Sequence, residues 1–199
     1  MKKLLILILG IAAGLNLFGQ FSATMLISLD KIQKTFNVFS DVNRYRYEFT
    51  EGSQQIIVIV LKETDDFYMI MPKQKMAIRA KTDSQMGIAT DPLQQYDHFA
   101  EKGATEKIIG KERINGYECT KKELINTKKD DFGESNQLLF TIWYSEEFQF
   151  PVKIENHIDG TSKSSMELLD IEPWKPGGDS FIIPEGYTVM DQETMMPEY

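Results

Sequence analysis

The chain has 199 residues, enough for one domain with a core of its own. Apolar residues make up 42% and charged residues 26%, a balance that argues against general disorder. A net charge of −8 argues against nucleic-acid binding, and the single cysteine, Cys119, excludes an internal disulfide and a multi-cysteine zinc site.

Met1-Lys2-Lys3 precedes an apolar run from Leu4 to Leu15 that Asn16 breaks. A basic start and a short apolar stretch predict a secretory signal over 1–19, with 23 as an alternative end. The run falls short of the roughly 20 residues that span a bilayer, so no membrane span is expected after cleavage. No cysteine lies near either cleavage point, which excludes an N-terminal lipid anchor. Losing Lys2 and Lys3 takes the charge from −8 to −10. Residues 20–190 are expected to form one domain and 191–199 a loose tail.

Next, Leu29, Ile32 and Phe36 fit one face of a helix within Met25–Phe39, with Ser28 as its cap. After that the period changes to two. Tyr45, Tyr47 and Phe49 alternate with Arg44, Arg46 and Glu48. Strand-like runs follow at 55–61, 67–71, 75–80, 107–114, 117–125, 138–144, 152–157 and 165–171. Asn115-Gly116 and Asp159-Gly160 are hairpin turns by composition. Asp91-Pro92 opens a short helix over 91–99, a cap followed by a first-turn proline. The order is an antiparallel meander, because parallel strands need long crossovers.

Three runs are apolar on both faces: Ile56–Leu61, Phe67–Met71 and Leu138–Tyr144. A sheet covered on one side alternates, so this part of the sheet is covered on both. Two outcomes fit: a sandwich core that fills itself, or a curved sheet around a cavity. Met69, Met71 and Met76 suit an adaptable apolar wall.

The C-terminal half carries an ordered set of phrases: Gly110–Cys119 (GKERINGYEC), Thr141–Tyr144 (TIWY), Phe150–Ile154 (FPVKI) and Phe181–Tyr187 (FIIPEGY). Together they resemble LolA-like exported bacterial proteins, relatives of the periplasmic carriers of outer-membrane lipoproteins. The resemblance implies a mainly β (α+β) fold: an incomplete, strongly curved antiparallel β-barrel with helices plugging its concave side. It also implies an apolar interior that accepts acyl chains.

No catalytic constellation stands out. The acidic pairs Asp65-Asp66, Asp130-Asp131 and Glu146-Glu147 sit in turn-like, solvated stretches. His98 and His157 lack metal-ligand spacing, and there is no Gly-x-Ser-x-Gly elbow. No cofactor, metal or catalytic residue is expected. The expected function is a periplasmic or secreted, non-enzymatic binder or carrier of a lipidic ligand. Its partners would be a lipid or acyl chain, a lipoprotein, or an envelope protein. The alternative is an envelope interaction or sensing module that uses the same concave sheet. The residues expected to line the cavity are Ile57, Ile59, Met69, Met71, Phe140, Ile142 and Trp143.

Overall fold

Alternation of side chains in and out of a sheet governs most of the chain. The structure, a computed structural model, describes residues 19–130, 133–158 and 164–195. Residues 1–18 of the expected leader, the Asp159-Gly160 turn, Asp131 and residues 196–199 lie outside the described residues.

The strands are β1 (Phe21–Leu29), β2 (Ile32–Asp41), β3 (Arg44–Glu51), β4 (Gln54–Leu61), β5 (Asp66–Met71) and β6 (Met76–Lys81). Helices α1 (Gln85–Thr90) and α2 (Pro92–Glu101) follow. Then come β7 (Thr105–Ile114), β8 (Tyr117–Asp130), β9 (Gly133–Ser145), β10 (Phe150–Asn156) and β11 (Ser164–Pro173). A short β12 (Thr188–Asp191) and α3 (Gln192–Met195) close the described chain, so the segment expected as a loose tail begins inside β12. All twelve described strands form one open sheet in the order β12-β6-β5-β4-β3-β2-β1-β11-β10-β9-β8-β7. The expected half-barrel class is the one observed.

The helix expected within Met25–Phe39 is a hairpin instead. Phe21, Ala23 and Met25 are buried in alternation on β1, as are Phe36 and Val38 on β2. Five positions at period two outweigh three at helical spacing. Leu29 and Ile32 face each other across the turn, and Asp30 takes φ 51° there. The expected helix over 91–99 is α2. Asp91 caps it, with Oδ1 accepting from Leu93 N at 2.9 Å, and Pro92 opens the first turn. Helix α1 was not legible in the sequence. Ser84 caps it, and Gly87 lies so close to the preceding strand that an added Cβ would meet Thr82 O at 2.3 Å. The Asn115-Gly116 turn joins β7 to β8 with φ 50° and 89°, as the hairpin signal requires.

Both faces of the sheet are covered, as the doubly apolar runs demand. On the concave face, Val58, Val60, Phe67, Phe140, Ile142, Ile154 and Leu168 form one core with Tyr96 of α2, and Leu93 and Phe99 pack on it. On the convex face the cover is the 174–187 segment. Its Phe181 packs with Ile59, Ile70 and Ala77, and Trp174, Ile183 and Tyr187 add to that cluster. The alternation of β3 serves both sides. Tyr45 and Tyr47 point into the core, while Arg44 stacks over the Phe181 ring at 4.6 Å and Arg46 donates to Ser180 O at 2.8 Å. The FIIPEGY phrase is thus a strap across the outer face. It returns the chain to the sheet edge, where β12 pairs parallel with β6.

Phe181 is 5% exposed and anchors this strap. Phe181→Ala is expected to destabilise the protein by about 3 kcal/mol, read from urea unfolding. A loss under about 1 kcal/mol would mean that the strap does not hold the outer face.

Candidate ligand site beneath the helices

The concave face and α2 do not meet everywhere. Between them lies a cavity of about 500 Å³. Val60 of β4, Leu93 of α2, Ile142 of β9 and Pro151 of β10 give it apolar walls. Tyr45, Tyr96 and Tyr144 add aromatic surface, and Lys62, Asp97, Glu101, Glu106 and Lys122 add charge. A second, smaller groove of about 240 Å³ is bordered by Ile27, Ala89, Pro92, Phe140, Ile154 and Met166.

A buried polar cluster fastens the helices over this space. Asp91 is 1% exposed. Its Oδ2 accepts from the Tyr45 hydroxyl at 2.5 Å, and that hydroxyl accepts from Gln94 Nε2 at 3.0 Å. Beside it the Tyr47 hydroxyl donates to Thr90 O at 3.2 Å. One carboxylate therefore both caps α2 and ties it to β3. Burial pushes the Asp91 pKa up to about 6, against the hydrogen bonds from Tyr45 and Leu93 that pull it down. Burial, with Asp91 next, drives the Tyr45 hydroxyl well above the ordinary tyrosine range.

At the cavity rim the pairs are more open. Lys122 Nζ meets Glu106 Oε1 at 3.0 Å, and the Tyr96 hydroxyl donates to Glu106 Oε2 at 2.5 Å. Burial raises the Glu106 pKa, but these two hydrogen bonds outweigh it and hold the carboxyl below its ordinary value. Crowding at Lys62 lowers the ammonium pKa against the opposing pull of Asp97, Asp91 and Asp41.

The residues expected to line the cavity divide between the two faces. Phe140 and Ile142 are buried on the inner face, Ile142 in the main cavity and Phe140 in the smaller groove. Met69 packs against the same core, and Met71 shares its side of β5. Ile57 and Ile59 face outward, beneath the strap. Trp143 faces outward too. Its Nε1 donates to Glu112 Oε2 at 2.8 Å, and Lys121 and Lys153 lie over its ring at 4.9 and 4.7 Å. Tyr45, Lys62, Asp91 and Tyr96 were not singled out. The Tyr45/Tyr47 alternation signals the inner face, but nothing in the sequence places α2 above it.

His157 lies 3.0 Å from the Thr141 hydroxyl and His98 packs edge-on to Phe99; neither borders the cavity. Cys119 is buried, and burial raises its thiol pKa. Among the described residues no cluster of His, Cys, Asp or Glu is arranged to hold a metal. None of the described helices is long and apolar enough to cross a membrane.

An open, curved sheet with a helical plug over its concave face defines the class: an incomplete half-barrel over a cavity, the fold that the resemblance in the C-terminal phrases implies. The chain belongs to the family described as domain of unknown function DUF4412, which matches residues 21–148. No curated protein matches the sequence. Among solved structures, an uncharacterized conserved protein from Thermus thermophilus aligns with TM-score 0.55 at 10% identity, over 89% of this chain and 93% of that one. MucB aligns with TM-score 0.50 at 12% identity, over 87% of this chain and 60% of MucB. A LolA superfamily protein from Nitrosomonas europaea aligns with TM-score 0.43 at 14% identity, over 82% and 90%. At these identities the likeness is one of fold.

Asp91 makes stability depend on pH in a defined direction. Its folded pKa of about 6 lies above the ordinary 3.8, so the folded state holds the proton more tightly. Stability is expected to rise as pH falls from 7 towards 5, by about 1.3 kcal/mol if Asp91 acted alone. Asp97, also raised by burial, acts in the same sense. Below about pH 4 the trend reverses, because Asp66 and Glu106, held below their ordinary values, become protonated. Urea unfolding across this range checks it. Asp91→Asn keeps the cap and is expected to flatten most of the rise; an unchanged slope would remove Asp91 as its source.

Proposed function

We propose that this protein is a non-enzymatic binder or carrier of an amphiphilic lipid in a bacterial envelope. The observation that carries this reading is the cavity under α2, with apolar wall residues from four elements and charged side chains such as Lys62, Asp97, Glu106 and Lys122 also lining it. Burying an acyl chain there contributes about 0.8 kcal/mol per methylene, so about ten methylenes supply micromolar binding. The charged rim suits a polar end that stays near water. Val60, Leu93, Ile142 and Pro151 hold the chain, with Phe140, Met69 and Met71 on the same face. The expected leader supports an activity in the periplasm or outside the cell. The LolA-like fold supports a carrier role.

A protein-interaction role is the second reading. It is favoured by MucB, a solved structure of similar fold that has been crystallised with MucA. In that case the helices stay closed and a partner binds on the outside.

Native mass spectrometry of protein purified from cells tests the first reading, together with titration of a fluorescent fatty acid. Co-purifying lipid and saturable uptake of the probe are expected. Leu93→Trp fills the cavity and is expected to weaken probe binding about tenfold or more, with thermal unfolding little changed. Absence of both lipid and uptake would overturn the proposal in favour of the second reading.

A further inference from the structure

The sheet ends at β7, and among the described residues nothing pairs with its outer edge. This ten-residue strand is exposed from Thr105 to Arg113, with Ile108 67% and Ile109 44% accessible. A long bare edge invites another strand, and its side chains decide which strand fits.

A β-bulge between Ile108 and Gly110 inserts one residue and shifts the alternation. Lys107 and Glu112 then stand opposite Glu123 and Cys119 on one face, while Glu106 and Arg113 stand opposite Leu124 and Glu118 on the other. The ion pairs agree: Glu106 meets Lys122, and Glu112 meets Lys121, each on its own face.

We propose that β7 pairs antiparallel with β7 of a second copy of this chain, about a two-fold axis between Ile109 and Gly110. In that register Lys107 lies opposite Glu112 of the second copy, and Glu106 lies opposite Arg113 of the second copy. Symmetry makes each contact twice, and the bulge puts both members of each pair on the same face. A shift of one residue fails on the pleat, because it sets residues of opposite faces against each other, as Lys107 against Lys111. A shift of two residues keeps the faces but loses pairs: one direction leaves only Glu106 opposite Lys111, and the other leaves none. The charge pattern therefore favours the alignment that pairs both Lys107 and Arg113 with carboxylates.

Two further observations fit. Neither Lys107 nor Arg113 makes a salt bridge among the described residues, and Arg113 stands opposite Glu118, whose carboxyl it helps hold below the ordinary value after Lys111. Gly110 has open space where a side chain would project, which permits a second backbone to approach. Charges and a bulge ordinarily protect an edge from pairing. Here they reject unlike strands and accept the self-complementary one. Glu106 also borders the cavity, so the seam would bring the rims of two ligand sites together.

Sedimentation velocity over a concentration series tests the proposal. The wild-type protein is expected to form a dimer weakened by salt. K107E/R113E leaves Lys111 as the one cation of the edge among four carboxylates, and E106K/E112K makes the edge uniformly basic. Each alone is expected to raise the dimer dissociation constant about tenfold or more, and the two mixed are expected to form a heterodimer. Circular dichroism establishes that each variant is folded, and K107E/R113E changes only the two cations that make no salt bridge. A wild-type protein that stays monomeric throughout would overturn the proposal. So would a dimer that K107E/R113E leaves intact.

Discussion

A sheet that is apolar on both faces needs two covers, and the rest of this structure follows from that requirement. Val58, Ile59 and Val60 are buried in succession, as are Leu139 to Trp143. Neighbouring residues on a strand point to opposite faces, so each run obliges the chain to bury both. The chain meets this with two unlike segments. Two short helices cross the concave side, and an irregular strap crosses the convex side. The strap packs closely through Phe181 and Trp174. The helices lie over a surface too curved to be filled, and the unfilled part is the cavity.

The attachment of the helices is polar where most of the core is apolar. Asp91 joins the helix cap to Tyr45 of the sheet within one buried group, and Tyr47 holds the end of α1 beside it. Such bonds are directional, so they fix where the helices sit more sharply than apolar packing does. Their buried carboxylate is costly to keep ionised. The plug is therefore well placed but not the most stable part of the molecule, an arrangement compatible with admitting a ligand between helix and sheet.

Much of the fold was legible in the sequence. Alternation in β3, the runs of β4 and β9 that are apolar on both faces, the Asn115-Gly116 turn and the Asp91-Pro92 start each act locally, and each has its expected counterpart. The error at Met25–Phe39 is equally local, since Leu29, Ile32 and Phe36 match a helix by spacing alone while Phe21, Ala23 and Met25 keep the strand period. The site was harder to read. In a run apolar at every position, nothing marks which residues face the plug. Val58 and Val60 differ from Ile57 and Ile59 only by one step along β4, and a one-step slip exchanges the faces. Trp143 was expected in the cavity beside Ile142, yet it lies on the opposite face of β9, buried beneath two lysines. The charged rim joins residues from β7, β8 and α2, and that meeting depends on tertiary packing.

The central claim is that the concave face, not the convex one, holds an apolar ligand. Methyl-resolved NMR during titration with a long-chain fatty acid tests it most directly. The account predicts shifts at the methyls of Val60, Leu93 and Ile142 that saturate together, while those of Ile59 and Ile70 under the strap stay in place. Saturable shifts confined to Ile59 and Ile70, or no shifts on either face, would contradict it.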